Sequence, residues 1–183
     1  NFFLILSLIS TIYYHEKYIS KRDTLILRNV DLNLSIDASI ISEKLKSLKW
    51  ITHHYPKQPK KEIEQLIETI EIIKKDKRKI MLVTDYQFIS AVLEKRDFTA
   101  ARIWWRHHIY PVPETKYFVY WKNYLLNKIY EENIEAIYTI HPLEGEKNIF
   151  DGLIKGNCYS SEYLTEILLV QNLKECKELK SIK

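Results

Sequence analysis

The sequence predicts an α/β domain: a mostly parallel sheet of about 4–5 strands with helices on both faces, preceded by an apolar helix. Three observations carry that expectation. Ile80–Val83 is a continuous apolar run of the kind found in strands buried on both faces. Lys60–Lys77 is amphipathic at helical spacing, with Ile63, Leu66, Ile67, Ile70 and Ile73 on one side. Strand-like and helix-like segments alternate from there to Leu173, which is the order of a parallel sheet with covering helices and right-handed crossovers.

The elements follow in order. Asn1–Tyr14, NFFLILSLISTIYY, has no charged residue. It is shorter than the roughly 20 residues a full span needs, and it lacks the basic start and small-residue cleavage site of a signal peptide. Tyr13 and Tyr14, followed by His15, Glu16 and Lys17, match the aromatic and charged border of a bilayer. Residues 1–20 are therefore expected to be the end of a transmembrane or membrane-interface helix. The chain does not begin with Met, and this segment suggests a fragment. Residues 21–35 read as a connector, 36–175 as the soluble α/β domain and 176–183 as a frayed tail.

Within the domain, Ile36–Lys49 is expected to hold a short strand or turn and then a helix with Leu45 and Leu48 inward. Trp50–Thr52 is a short strand leading into His53-His54-Tyr55-Pro56. Pro59 suits the first turn of the Lys60–Lys77 helix, with Glu62 and Glu64 early and Lys74, Lys75 and Lys77 late, as the helix dipole favours. Lys79–Thr84 is the buried strand. Asp85 is placed to cap the next helix, whose apolar face is Phe88, Ile89, Val92 and Leu93. Arg102–Arg106 is a strand-like segment ending in His107-His108-Ile109-Tyr110-Pro111, an echo of WITHHYP. Glu114–Glu132 is a long helix with Phe118, Trp121, Leu125 and Ile129 as its stripe and Asn133 at its end. Ile134–Ile140 is a strand, Leu143–Gly156 a loop, Ser160–Thr165 a short helix capped by Ser160, and Ile167–Leu173 the last strand.

Composition narrows the chemistry. Three glycines, Gly145, Gly152 and Gly156, cannot form a glycine-rich phosphate loop. No GxSxG elbow exists. The net charge of +4 comes from interleaved Lys and Glu, which suits an anionic membrane surface better than nucleic acid. Cys158 and Cys176 have no metal spacing and read as free thiols.

Ligands of open α/β sheets bind beyond the carboxyl ends of the strands. Five of the six histidines follow an expected strand. A parallel sheet would gather His53, His54, Asp85, Tyr86, His107, His108 and His141 on one rim, the candidate ligand site. General acid–base work by His54 or His141 with Asp85 is one use of such a rim; helix capping and loop packing are the plain alternative. Two neighbouring histidines on extended chain point to opposite sides, and neither HExxH nor a similar spacing occurs, so no metal and no cofactor is expected. Arg102 and Arg106 are candidate contacts for a phosphate or lipid head group.

DASIISEKLKSLKWITHHYP, KIMLVTDYQFI and EAIYTIHPLEGE, after the apolar opening, resemble the C-terminal soluble region of bacterial multi-spanning membrane proteins similar to GT-C type glycosyltransferases. The resemblance spans about Tyr14 to about Leu173. It implies an accessory domain at the bacterial inner membrane that aids recognition of an acceptor or lipid-linked sugar. In such enzymes the catalytic acid lies between the first membrane helices, outside this chain, so no catalytic residue carries over. The resemblance implies the outer side of the membrane, whereas Lys17, Lys21 and Arg22 lean towards a cytoplasmic exit. Two other functions stay open on the residues alone: a self-contained enzyme or ligand-binding domain using the His/Asp rim, and a protein-interaction domain.

Overall fold

The computed structural model describes residues 2–20, 27, 30–94, 98–99, 111, 113–140, 154 and 158–174. The chain divides into two compact units, Asn1–Ile67 and Glu68–Lys183. The boundary between them falls inside one helix, Pro59–Lys75.

In the first unit, α1 (Phe2–Tyr14) is followed by a π-helical turn, His15–Ser20. β1 (Ile36–Asp37) pairs antiparallel with β2 (Lys49–Trp50), Ile36 opposite Trp50. Between them run two 3-10 turns, Ala38–Ile40 and Glu43–Leu45. Asp37 and Ser42 cap these turns by accepting from the amides of Ser39 and Lys44. Such side-chain caps offer the backbone an alternative to a continuous helix, so the helix expected here is replaced by turns. Leu45 is buried as expected; Leu48 is not, being 56% exposed.

α2 (Pro59–Lys75) matches the expected helix closely. Ile63, Leu66, Ile70 and Ile73 are buried along it.

The second unit is built on a four-stranded sheet in the order β3-β4-β6-β5. β3 (Ile80–Val83) and β4 (Ala136–Ile140) are parallel, Ile80 opposite Ala136. β6 (Leu168–Leu173) runs antiparallel to β4, and β5 (Tyr159–Tyr163) antiparallel to β6. The sheet is mixed, not mostly parallel. The error traces to Ser160–Thr165, read as a helix but folded as most of β5 and the turn after it. A helix there would allow a parallel crossover; a tight turn joining two strands forces them antiparallel. The Leu164 amide bonds the Leu168 carbonyl across that turn at 2.9 Å. Beside β3, Phe98 makes a parallel bridge to Met81. The strand expected at Arg102–Arg106 lies outside the described residues.

α4 (Phe118–Glu131) covers one face of this sheet. Leu125, Leu126 and Ile129 pack with Met81, Val83, Ile137, Ile134 and Cys158. Asn133 ends the helix as expected. It takes a left-handed φ of 52°, its amide reaches the Tyr130 carbonyl, and the Ile134 amide reaches that of Ile129. That is a Schellman closure, with Ile134 and Ile129 in the same core cluster.

Cys158 is disulfide-bonded, which corrects the free-thiol expectation. The only other cysteine of the sequence, Cys176, lies outside the described residues.

At the start of β3 a polar cluster ties three segments together. Arg78 makes a forked contact with Asp76, with Nε–Oδ1 and Nη2–Oδ2 at 3.1 and 2.7 Å. Its Nη1 donates to Asn172 Oδ1 at 2.7 Å, and the Tyr138 hydroxyl donates to Asp76 Oδ2 at 2.6 Å. Burial pushes the Asp76 carboxyl up, but the hydrogen bonds from Arg78 and Tyr138 outweigh it and hold the group well below the usual carboxylate range. Burial, then the Asp76 carboxylate, pushes Tyr138 up to about 12.

The signs fix a prediction. Asp76, depressed on folding, adds stability that is full above the ordinary carboxyl range and fades as pH falls towards its folded value. Tyr138, raised on folding, adds stability that is full below its ordinary value of 10.0 and fades as pH rises towards about 12. Urea midpoints measured across pH should show both limbs. Asp76→Asn should flatten the acid limb and Tyr138→Phe the alkaline one; limbs unchanged in these variants would contradict the assignment.

Candidate functional site

The histidine loop of the first unit begins at a carboxylate. Glu62, in the first turn of α2, is fully buried. Its Oε2 accepts from the Trp50 indole N–H at 3.0 Å and its Oε1 from the Thr52 hydroxyl at 2.7 Å. The Thr52 oxygen also accepts from the His54 amide at 3.2 Å. This chain of bonds fastens β2 and the bend after it to α2. A buried carboxylate survives only with such donors.

The bend changes what the two histidines can do. The rings of His53 and His54 lie 4.0 Å apart, centroid to centroid, at 35°. The expected opposite orientation holds for extended chain; Thr52 capping the His54 amide bends this chain, so the imidazoles stack. His53 is exposed and His54 half-buried.

Asp85 and Tyr86 sit on a different sheet. They follow β3, where β4 ends and β6 begins, Ile140 opposite Leu168. The Thr84 hydroxyl accepts from the Tyr86 amide at 3.0 Å, and the Asp85 carbonyl accepts from the Gln87 amide at 3.0 Å. Asp85 is not a helix cap. α3 (Ile89–Leu93) starts later, with Phe88 in the cap position and no side-chain cap bond. Tyr86 is 7% exposed and meets Phe88 edge-on at 6.0 Å.

The expected rim assumed one parallel sheet, and the strands that carry its residues lie in two. β2 belongs to the two-stranded sheet and β3 to the four-stranded one. His53 pairs with His54, and Asp85 neighbours Tyr86. His107, His108, His141, Arg102 and Arg106 lie outside the described residues. Among the described residues, no group of three or more His, Cys, Asp or Glu could hold a metal ion.

From sequence alone, Glu62 is expected only as a favourable charge at a helix start. A signal was present. Glu62 is spaced four, eight and eleven residues before Leu66, Ile70 and Ile73, so it falls in the register of the apolar stripe. A carboxylate there must be buried with partners, and Trp50 and Thr52 supply them.

Comparison with protein-family models, curated proteins and solved structures gives no match.

Replacing Glu62 removes the acceptor of two side-chain hydrogen bonds, from Trp50 and Thr52. Glu62→Ala should cost about 2–4 kcal/mol, and Glu62→Gln roughly half as much, since the amide oxygen still accepts one bond. Urea unfolding followed by Trp fluorescence reads both. Equal stability of Glu62→Ala and the parent would show that the carboxylate is not the fastening point.

Proposed function

We propose that this chain is a membrane-tethered α/β domain of a glycosyltransferase-like membrane protein, aiding recognition of an acceptor or lipid carrier and not catalytic by itself. The observation that carries the tether is α1. Its side chains are exposed on every side, from Leu6 at 51% to Phe3 at 82%. A helix apolar all round is a buried or membrane helix; an interfacial helix keeps a charged face, and α1 has no charge. Its Thr11 hydroxyl donates back to the Ser7 carbonyl at 2.9 Å, so this polar group is satisfied within the helix, as hydrocarbon demands. At its end Lys17 Nζ lies 5.7 Å from the Tyr13 ring and 5.1 Å from the Tyr18 ring. Tyrosine and lysine together suit the head-group level.

Among the described residues no helix is long and apolar enough to cross a membrane. At 1.5 Å per residue α1 is ~20 Å long, against ~30 Å of bilayer core. It is suited to be the end of a span. The resemblance supplies the glycosyltransferase class. The Cys158 disulfide favours an oxidising compartment, and hence the outer side of the membrane.

Two measurements test the reading. The chain should co-sediment with neutral phosphatidylcholine vesicles and lose this on removal of residues 2–14. Protein isolated from cells with thiols blocked by N-ethylmaleimide should gain the label only after reduction. Labelling of both cysteines without reduction would place the domain in a reducing compartment and sink the outer-side assignment. Saturable binding of a sugar nucleotide by the chain alone, seen by calorimetry, would instead favour a self-contained enzyme or binding domain.

A further inference from the structure

The two edges of the four-stranded sheet end differently. Beside β3 the chain closes its own edge: the Leu82 amide donates to the Phe98 carbonyl at 2.9 Å, and the Phe98 amide donates to the Ile80 carbonyl at 3.1 Å. β5 forms the opposite edge. Its residues Ser160, Ser161, Glu162 and Tyr163 are exposed, Tyr163 at 66%. An open strand edge is a template for pairing with another chain, and proteins blunt it with lysine, proline or a bulge. Tyr159–Tyr163, YSSEY, holds no lysine and no proline, and its register to β6 runs without a bulge.

The flanking bonds fix which backbone groups face outward. The Lys174 amide donates to the Cys158 carbonyl at 2.7 Å, and the Leu164 amide donates to the Leu168 carbonyl at 2.9 Å. Hydrogen-bonded and non-hydrogen-bonded pairs alternate along an antiparallel ladder. Ser160 and Glu162 therefore turn their N–H and C=O towards β6, and Ser161 and Tyr163 turn theirs to the open edge. We propose that this edge pairs with β5 of a second copy of the chain, antiparallel about a two-fold axis at Ser161, joining the two sheets into one. In that register Ser161 faces its own copy, and Tyr163 faces Tyr159 of the second copy. Glu162, the only charged residue of the strand, faces Ser160 of the second copy, a hydroxyl donor. Other registers fit worse. Setting Ser161 opposite Tyr163 puts Glu162 against its own copy, and like charges directly opposite are destabilising. Setting Ser161 opposite Tyr159 leaves Glu162 and Tyr163 opposite residues that precede the strand. With tyrosine at each end and serine at the centre, the strand is close to self-complementary, as a two-fold contact requires. The pairing uses the second unit alone and does not depend on the membrane tether.

Sedimentation equilibrium of the full chain in density-matched detergent tests the pairing. The parent should show a concentration-dependent dimer. Ser161→Pro removes an amide that β6 does not use, which an edge strand tolerates. It should keep the urea midpoint of the parent and abolish the dimer. Ser161→Lys sets two like charges across the axis and should weaken the dimer by up to ~5-fold. Ser160→Lys gains Glu162 of the second copy and should tighten it by roughly twofold or more. Amide exchange at Ser161 should slow as the dimer forms, with Glu162 protected in monomer and dimer alike. A parent that stays monomeric at every concentration would overturn the proposal. A dimer left intact by Ser161→Pro and Ser161→Lys would place the contact elsewhere and overturn it too. Weakening by both lysine variants would overturn the register. Should Ser161→Pro unfold the chain, the opposed effects of the two lysine variants decide.

Discussion

The second unit depends on one strand being paired on both edges. β4 is laddered to β3 on one side and to β6 on the other, and all five of its residues are buried. Alternate side chains serve opposite layers. Ile137 joins Met81, Val83 and the α4 residues in the core cluster. Tyr138 faces the other way, and its hydroxyl ends on Asp76, just beyond α2. A strand buried on two faces has no surface to release, so both layers must form around it. The Asp76–Arg78–Asn172 contacts then tie the start of β3 to the end of β6. A shift of β6 by one residue would turn Asn172 to the opposite face and break the link to Arg78.

That architecture was legible where local signals and tertiary packing agree. α2 and β3 were readable because apolar periodicity and capping chemistry pointed the same way. Asn133 was readable because a left-handed helix end asks for Gly or Asn. β5 was not. Tyr159-Ser160-Ser161-Glu162-Tyr163 has no apolar run, since only Cys158 before it and the inner side of Tyr159 meet the core; its ladder to β6 defines it. A polar edge strand looks like a loop or a capped helix until its partner is known. Misreading it changed the parity of the connection and made the sheet look parallel.

The candidate site was less legible for the same reason. The rim was an argument about strand ends, and it needed every strand in one parallel sheet. With β2 in its own two-stranded sheet, the histidines after it became part of a local structure instead. What organises that structure is Glu62, and its meaning lay in its register along α2 rather than in any motif. The stacked pair His53–His54 likewise arises from a bend set by Thr52, a residue with no functional signature of its own.

For the proposed tether, the side of the membrane turns on the weights of two signals. Lys17, Lys21 and Arg22 lean inward, but they are three charges in one loop, and orientation follows the bias across all loops of a protein. In the structure Lys17 lies against two tyrosine rings, an arrangement equally at home at either interface. A disulfide is a different kind of signal. It persists where the compartment does not reduce it, and cytosolic thiol systems do. The Cys158 sulfur is also buried in the core beside α4, where exchange with soluble thiols is slow because access is limited. A disulfide at the buried Cys158 therefore carries more weight than a short run of charge. On the proposed reading it outweighs the charges after Tyr14 and favours the outer side.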